Sequence, residues 1–182
     1  MSIATHDLVD ISKVCVIGPE CTGKSELSKY LASHFDTTWV PEYARAYLDK
    51  LGRPYQQSDL LKIAHGQVRL EDEWVRDAKR VVICDTNLIT IKIWSDYKYG
   101  RCDDEILDLI KSRTYSLYLL NYIDVPWVDD PQREHPDKRE FFWQLYRQEV
   151  MHTNVPFIEI KGSWEQRQQL AQEAIEKLIL KG

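Results

Sequence analysis

The chain has 182 residues, 43% hydrophobic, 29% charged and 11% aromatic, with a formal net charge of −5. That length supports one domain with a sizeable core, and the acidic balance argues against a duplex-DNA binder. Cys15, Cys21, Cys84 and Cys102 are scattered without a C-x-x-C pair, no apolar stretch is long enough to span a bilayer, and no signal-peptide core opens the chain; a disulfide framework, a structural zinc site and a membrane partner are excluded, and a cytoplasmic protein is expected.

Residues 1–12 read as a short N-terminal leader and 13–182 as a single domain. The first strand is the apolar, β-branched run over 13–17. Directly after it, Gly18-Pro19-Glu20-Cys21-Thr22-Gly23-Lys24-Ser25 fills every fixed position of the phosphate-loop pattern G-x-x-x-x-G-K-[ST]. Leu27, Leu31 and Phe35 then repeat at helical spacing. Strand, loop and helix are the context this motif requires. Its glycines let backbone amides converge on phosphate oxygens, and the helix N-terminus adds positive potential. Lys24 is placed for the β- and γ-phosphates, and the Ser25 hydroxyl for Mg²⁺. Predicted nucleotide contacts therefore run over Gly18, Pro19, Glu20, Cys21, Thr22, Gly23, Lys24, Ser25 and Glu26. The side chains at 19–22 are expected to matter little, because backbone groups hold the phosphates.

A second strand over 37–40 leads into Pro41-Glu42-Tyr43-Ala44-Arg45. Glu42 is a candidate to orient or deprotonate an attacking hydroxyl, Tyr43 to stack on a flat ring, and Arg45 to hold substrate. The plainer alternative is an ion pair of Glu42 and Arg45 at a helix start, and the functional reading is preferred. Ala44, Tyr47, Leu48 and Leu51 share one helix face, which Gly52 and Pro54 stop. Ser58 is read as the cap of a further helix burying Leu61, Ala64, Val68, Val75 and Ala78; Gly66 within it implies close approach of another group. A third strand over 80–84 ends at Asp85-Thr86-Asn87. Asp85 has the position of a Walker B carboxylate, which holds Mg²⁺ or its water shell, and Thr86 or Asn87 is left to cap the next helix.

Helices follow over 88–95 and 104–111, with Trp94, Tyr97 and Tyr99 as an aromatic cluster from which one ring can line a base pocket. A fourth strand over 115–120 runs into a proline-broken, charged segment at about 124–140, containing Trp127, Arg133 and Arg139. That composition suits a lid, with Arg133 or Arg139 stabilising charge on a transferring phosphoryl group. A helix over 138–152, a strand over 156–160 and a capping box at Ser163 complete the chain; the last helix is expected to bury Leu170, Ala174 and Leu178. Five strands alternating with helices imply a three-layer α/β/α domain with a five-stranded parallel sheet, and chemistry at the carboxyl ends of its strands.

Taken together, the phosphate loop, Glu42-Tyr43-x-Arg45, Ser58-Asp59, Gly66-Gln67, Asp85-Thr86 with Ile89-Thr90, Tyr99-Gly100, Trp127-Val128-Asp129-Asp130 with Arg133, and Val155-Pro156 with Ile158-Glu159-Ile160 resemble one family. It is the ribosylnicotinamide kinase domain of bacterial NadR-type NAD-salvage proteins, within the AAA-like ATPase/kinase group. The resemblance covers roughly residues 14–178. It implies a P-loop kinase that moves the γ-phosphate of ATP, with Mg²⁺, to the 5′-hydroxyl of nicotinamide riboside. The implied catalytic set is Lys24, Glu42, Asp85, Arg133 and Arg139. Glu42, Tyr43, Arg45, Asp85, Tyr99 and Trp127 are the candidates for the acceptor, and Ser25 and Asp85 for the metal. The family's adenylyltransferase and DNA-binding domains have no room in this length, so only the kinase step is expected. A kinase for another nucleoside or nucleotide, or a regulatory P-loop ATPase, are the alternatives. The residues leave the oligomeric state open.

Overall fold

The computed structural model describes residues 11–180. Most of the proposed leader lies outside the described residues. Ser12 does not belong to it, because its amide donates to the Arg80 carbonyl at 3.0 Å and opens the first strand. The strands are β1 (Ser12–Ile17), β2 (Trp39–Val40), β3 (Val81–Asp85), β4 (Leu117–Asn121) and β5 (Phe157–Ile160). They form one sheet in the order β2-β3-β1-β4-β5, every adjacent pair parallel. The helices are α1 (Lys24–His34), α2 (Tyr43–Leu51), α3 (Gln57–Val75), α4 (Leu88–Tyr99), α5 (Asp104–Lys111), α6 (Arg139–His152) and α7 (Trp164–Ile179). None of them is long and apolar enough to cross a membrane.

Alternation along the strands sorts the core into two faces. Val14, Val16, Ile83 and Leu119 point to one side and pack on Leu27 and Leu31 of α1 and Ala171 and Ile175 of α7. Cys15, Ile17, Cys84 and Leu120 point to the other and pack on Ile89 and Ile93 of α4 and Phe142, Tyr146 and Val150 of α6. Helices cover both faces, so β3 and β4 are buried at every position and β1 from Val14 onward. A satellite cluster, including Ala44, Leu60, Ile63, Leu88, Ile91 and Ile106, ties α2, α3 and α5 to α4. The result is the three-layer α/β/α arrangement.

Several local expectations need correction. β2 has two ladder residues rather than four; Thr37 instead spends its hydroxyl on the Val81 carbonyl. Ser58 does not cap α3. Gln56 does, in a reciprocal box with Asp59, whose Oδ2 accepts the Gln56 amide at 2.9 Å. The fully buried positions of α3 are Asp59, Leu60, Ile63, Ala64, Gly66, Gln67 and Glu71; of the expected stripe Ala64 is among them, Leu61, Val68 and Val75 pack half-buried at its edge, and Ala78 lies beyond the helix end. An apolar count misses this face because Asp59, Gln67 and Glu71 in it are polar. Glu71 is held by Lys13 at 2.8 Å, Arg113 at 3.0 Å and the Tyr115 hydroxyl at 2.7 Å. The same effect operates in α7, where Arg167, Ala171 and Ile175 are buried and Leu170 is 37% exposed.

Candidate active site

The order β3-β1-β4 puts the turn after β1 between two strand ends, which is where a parallel sheet opens a crevice. Gly18 has φ 146°, and a Cβ there would stand 2.8 Å from the Asn121 carbonyl oxygen at the end of β4. The loop can leave β1 this closely only with glycine. Gly23, at φ 78°, is the N-cap of α1 and offers its amides no side-chain cap. An eleven-residue helix with an uncapped first turn is an anion seat. Lys24 curls over this turn, its ammonium donating to the Pro19 carbonyl at 2.8 Å. Behind the loop, Asn121 Nδ2 donates to the Thr22 carbonyl at 2.9 Å and Arg167 Nη1 to the same oxygen at 3.3 Å. Arg167 is 1% exposed and also binds the Tyr122 and Gly162 carbonyls and the Asp124 carboxylate, so its burial is matched by partners.

In front of the loop lies a cleft of about 560 Å³. Lys24, Ser25, Glu26, Glu42, Arg45 and Asp85 line it, joined by Arg133 from above. Asp85 is 1% exposed, and burial pushes its carboxyl up while the Ser25 hydroxyl and the Lys24 ammonium pull it back. Its Oδ1 has no hydrogen-bond partner. It is not spent as a cap, because Asn87 Oδ1 takes the Ile89 amide at 3.0 Å. Among the described residues no three His, Cys, Asp or Glu side chains gather as a metal cage. One orphaned carboxylate oxygen beside a hydroxyl fits a divalent cation that takes its other ligands from water and phosphate, which is the habit of Mg²⁺. Glu42 faces the same space. Burial lifts its carboxyl from 4.5 to about 7, with Lys24 and Arg45 pulling down and Asp85 pushing up. A carboxyl poised there can take a proton near neutrality.

Two further polar residues of this cleft carry no role from the sequence, Thr90 appearing only in the family resemblance and Tyr146 not at all. Thr90 and Tyr146 form part of its wall, the Tyr146 hydroxyl donating to Thr90 Oγ1 at 3.2 Å. Thr90 Oγ1 also lies 2.5 Å from Thr86 Oγ1, and Thr86 holds φ 71° just after β3. Tyr146 projects from the middle of α6, where helical spacing makes it look like ordinary core.

The segment between β4 and α6 lies across this cleft and grips the phosphate loop through side chains. Glu20 Oε2 accepts the Glu134 and His135 amides at 3.1 and 3.4 Å. Cys21 Sγ accepts the Val128 amide at 3.1 Å and Arg133 Nη1 at 3.4 Å. The side chains at positions 20 and 21 are thus engaged with this segment, in addition to what the loop backbone does. Arg133 reaches the cleft wall. Arg139 does not; its guanidinium donates to the Val125 carbonyl at 2.9 Å and the Cys21 carbonyl at 3.0 Å, fixing the root of the lid. Trp127 sits with Arg133 6.0 Å and Arg139 5.9 Å from its ring centre and lines neither large cavity at this end of the sheet. Arg45 lines the cleft but gives its fork to Asp130, at 2.9 and 2.5 Å.

Tyr43 and Tyr99, both expected at the acceptor, line neither the cleft nor the cavity beside it. The Tyr43 ring packs on α3 where Gly66 leaves room; a Cβ on Gly66 would be 2.1 Å from it. The group that approaches Gly66 is thus this ring. Tyr99 braces Tyr55, donating to its carbonyl at 3.0 Å. Their neighbours do face a cavity. Tyr55, Trp94, Tyr97 and Phe142 surround a space of about 300 Å³, with Glu20, Glu134 and Lys98 among its polar walls. This aromatic cavity shares Glu20, Leu48, Trp94 and Gln132 with the phosphate-loop cleft. Burial, with Glu134, Tyr99 and Glu20 nearby, holds the Tyr55 phenol well above its ordinary value.

The family model described as AAA domain matches residues 13–167. The trifunctional NAD biosynthesis/regulator protein NadR of Salmonella typhimurium is 31% identical over 157 residues, which are 83% of this chain and 38% of that protein. The chain thus spans well under half the length of this curated relative. A crystal structure of a NadR protein in complex with NR superposes with a TM-score of 0.79 at 19% identity, covering 93% of this chain and 52% of that one. One in complex with NAD and AMP-PNP gives 0.76 at 19% identity, over 93% and 49%. Thymidylate kinase from Candida albicans shares the fold at 12% identity, with a TM-score of 0.68 over 92% of each chain. The chain belongs to the AAA domain family, and its domain is a P-loop kinase domain of the NadR type.

Proposed function

We propose that this protein is a cytoplasmic kinase that transfers the γ-phosphate of ATP to the hydroxyl of a nucleoside, nicotinamide riboside above all, giving nicotinamide mononucleotide. One observation carries the reading: the phosphate-loop cleft and the aromatic cavity share a wall at Glu20, Leu48, Trp94 and Gln132. A triphosphate on the loop and a flat ring among Tyr55, Trp94, Tyr97 and Phe142 then lie side by side. Glu20 and Glu134 beside those rings suit a positively charged ring, which aromatic faces and carboxylates both attract.

In this mechanism the loop amides and Lys24 hold the β- and γ-phosphates. Ser25 and Asp85 would hold Mg²⁺, whose charge draws electron density from the phosphate oxygens. The acceptor oxygen bonds to the γ-phosphorus while the bond to the β,γ-bridging oxygen breaks, and ADP leaves. The hydroxyl proton passes to Glu42. Arg133 stabilises charge on the equatorial oxygens, a contribution of about a thousandfold or more where such an arginine acts. The lid keeps water from competing for the phosphorus.

Lys98 favours a second reading. Its ammonium lies 3.6 Å from the centre of the Tyr55 ring at the aromatic cavity, where it could hold an anionic acceptor such as a nucleotide. Coupled ATP consumption is the test, run without acceptor and with nicotinamide riboside, other nucleosides and nucleotides. Rapid turnover with nicotinamide riboside, and a product heavier by one phosphoryl group, is the expected result. Slow hydrolysis indifferent to every acceptor would point to a regulatory ATPase instead.

A further inference from the structure

We propose that Asp130, through its two-pronged ion pair with Arg45, is a positioning residue that holds the lid as one wall of the aromatic cavity and so sets the enzyme's grip on its acceptor. The proposal rests on the nucleoside-kinase reading and assigns Arg45 to the lid rather than to substrate.

The lid is tied down on two sides, and the two sides do different things. On the phosphate-loop side, Glu20 and Cys21 take its amides at 134, 135 and 128. On the α2 side, Asp130 meets the Arg45 fork at 2.9 and 2.5 Å. Gln132 adds bonds from Nε2 to the Arg45 carbonyl at 3.2 Å and to Asp49 Oδ1 at 2.5 Å. Asp130 Oδ1 also accepts the Gln132 amide at 3.0 Å. One carboxylate therefore both shapes the turn at 130–132 and pins it to α2.

What hangs from that turn is the cavity wall. Pro131, Gln132, Glu134 and His135 all line the aromatic cavity, whereas only Gln132 and Arg133 of the lid line the phosphate-loop cleft. Unpinning Asp130 would open the acceptor's chamber and leave the loop and Lys24 in place. Arg45 lies one turn from Glu42 at the start of α2, so the latch and the candidate base stand on the same short element. A forked arginine–carboxylate pair fixes direction as well as distance, which a single contact cannot do. Both partners are partly solvent-exposed, at 48% and 17%, so their removal should disturb the lid far more than the fold.

The test uses the full chain and the variants Asp130→Asn, Arg45→Ala, Arg45→Ala with Asp130→Ala, and the swap Arg45→Asp with Asp130→Arg. Hydrogen–deuterium exchange is measured without ligand over 126–136, together with kinetics on ATP and nicotinamide riboside. Both single variants should exchange the lid amides about tenfold faster, the scale of one strong charged hydrogen-bond pair, with β1 to β4 unchanged. KM for nicotinamide riboside should rise about tenfold while KM for ATP stays within about twofold, and ATP hydrolysis without acceptor should gain on transfer. The double alanine variant should be no worse than either single, and the swap should recover most of the loss. Unchanged lid exchange in Asp130→Asn overturns the latch whatever the wild type phosphorylates. So does a hundredfold fall in kcat for Arg45→Ala with Asp130→Asn silent, which would put Arg45 on the substrate. A wild type inert toward nicotinamide riboside, with faster lid exchange in the variants, leaves the pin in place and removes the acceptor reading.

Discussion

Replacing Glu42 with glutamine should make this protein more stable and less active, and the gain should depend on pH. Burial, opposed by Lys24 and Arg45, holds the Glu42 carboxyl at about 7 against 4.5 when unconstrained. At 1.36 kcal/mol per pH unit of displacement, that is about 3 kcal/mol of folding stability lost once both states are ionised. The carboxyl stands on a cleft wall that water reaches, so about 1–2 kcal/mol is the expected size. Because the folded value is raised, folded and unfolded states both keep the proton below 4.5, and the stability is intact there. It drains away as pH climbs from 4.5 through about 7 and is gone above. Glutamine never ionises. Urea unfolding should therefore find Glu42→Gln close to wild type at pH 5 and about 1–2 kcal/mol more stable at pH 8.5. Turnover should fall by a factor of about a hundred to ten thousand, the range for a lost general base. The logarithm of wild-type kcat/KM should rise with unit slope below neutrality and level off above about pH 7. An equal stability difference at both pH values, or a less stable variant at pH 8.5, would refute the argument that Glu42 is held in the folded state against its ionised form.

Four other substitutions probe the same geometry. Lys24→Ala should lower turnover by about a thousandfold or more while leaving the melting temperature nearly unchanged, since the lysine's ammonium bonds within its own loop, to the Pro19 carbonyl; an unchanged rate would remove the loop from catalysis. Arg133→Ala should cost turnover about a hundredfold or more, and Arg139→Ala, whose donors serve backbone carbonyls, should chiefly loosen residues 124–139 as read by proteolysis; the reverse pattern would exchange their roles. Gly66→Ala should destabilise by about 1–3 kcal/mol despite alanine's better helix propensity, because the Tyr43 ring occupies the new methyl's place; a rise in melting temperature would show that Tyr43 moves aside freely.

The parts of this site that sequence reveals are those where one residue type has one physical use. A glycine at φ 146° against Asn121, a lysine beyond a second glycine and an aspartate ending an apolar strand are legible because little else can stand there. Helix faces built on polar burial are not. Glu71 and Gln67 in α3 and Arg167 in α7 are inside because specific partners meet them from strands and loops far away in the chain. No local count of apolar residues contains that information. The aromatic cavity shows the same limit: Trp94, Tyr97 and Tyr99 are adjacent in sequence, yet only the first two face the space, because Tyr99 turns its hydroxyl to Tyr55.

The phosphate loop itself shows how one short segment can carry two tasks. Its backbone faces the anion seat at α1, which leaves its side chains free. Glu20 and Cys21 use that freedom to hold the lid, and Glu20 also forms part of both large cavities. A nucleotide that orders the loop would therefore order the lid's near edge with it, and an acceptor that fills the aromatic cavity would press on the same glutamate from the other side. Burial already raises the Glu20 carboxyl, opposed by the His135 and Glu134 amides it accepts. Opening the lid would take those two amides away and return the carboxylate to water. Energetic coupling between two substrates so placed would need no long pathway, because both would lean on the same side chain.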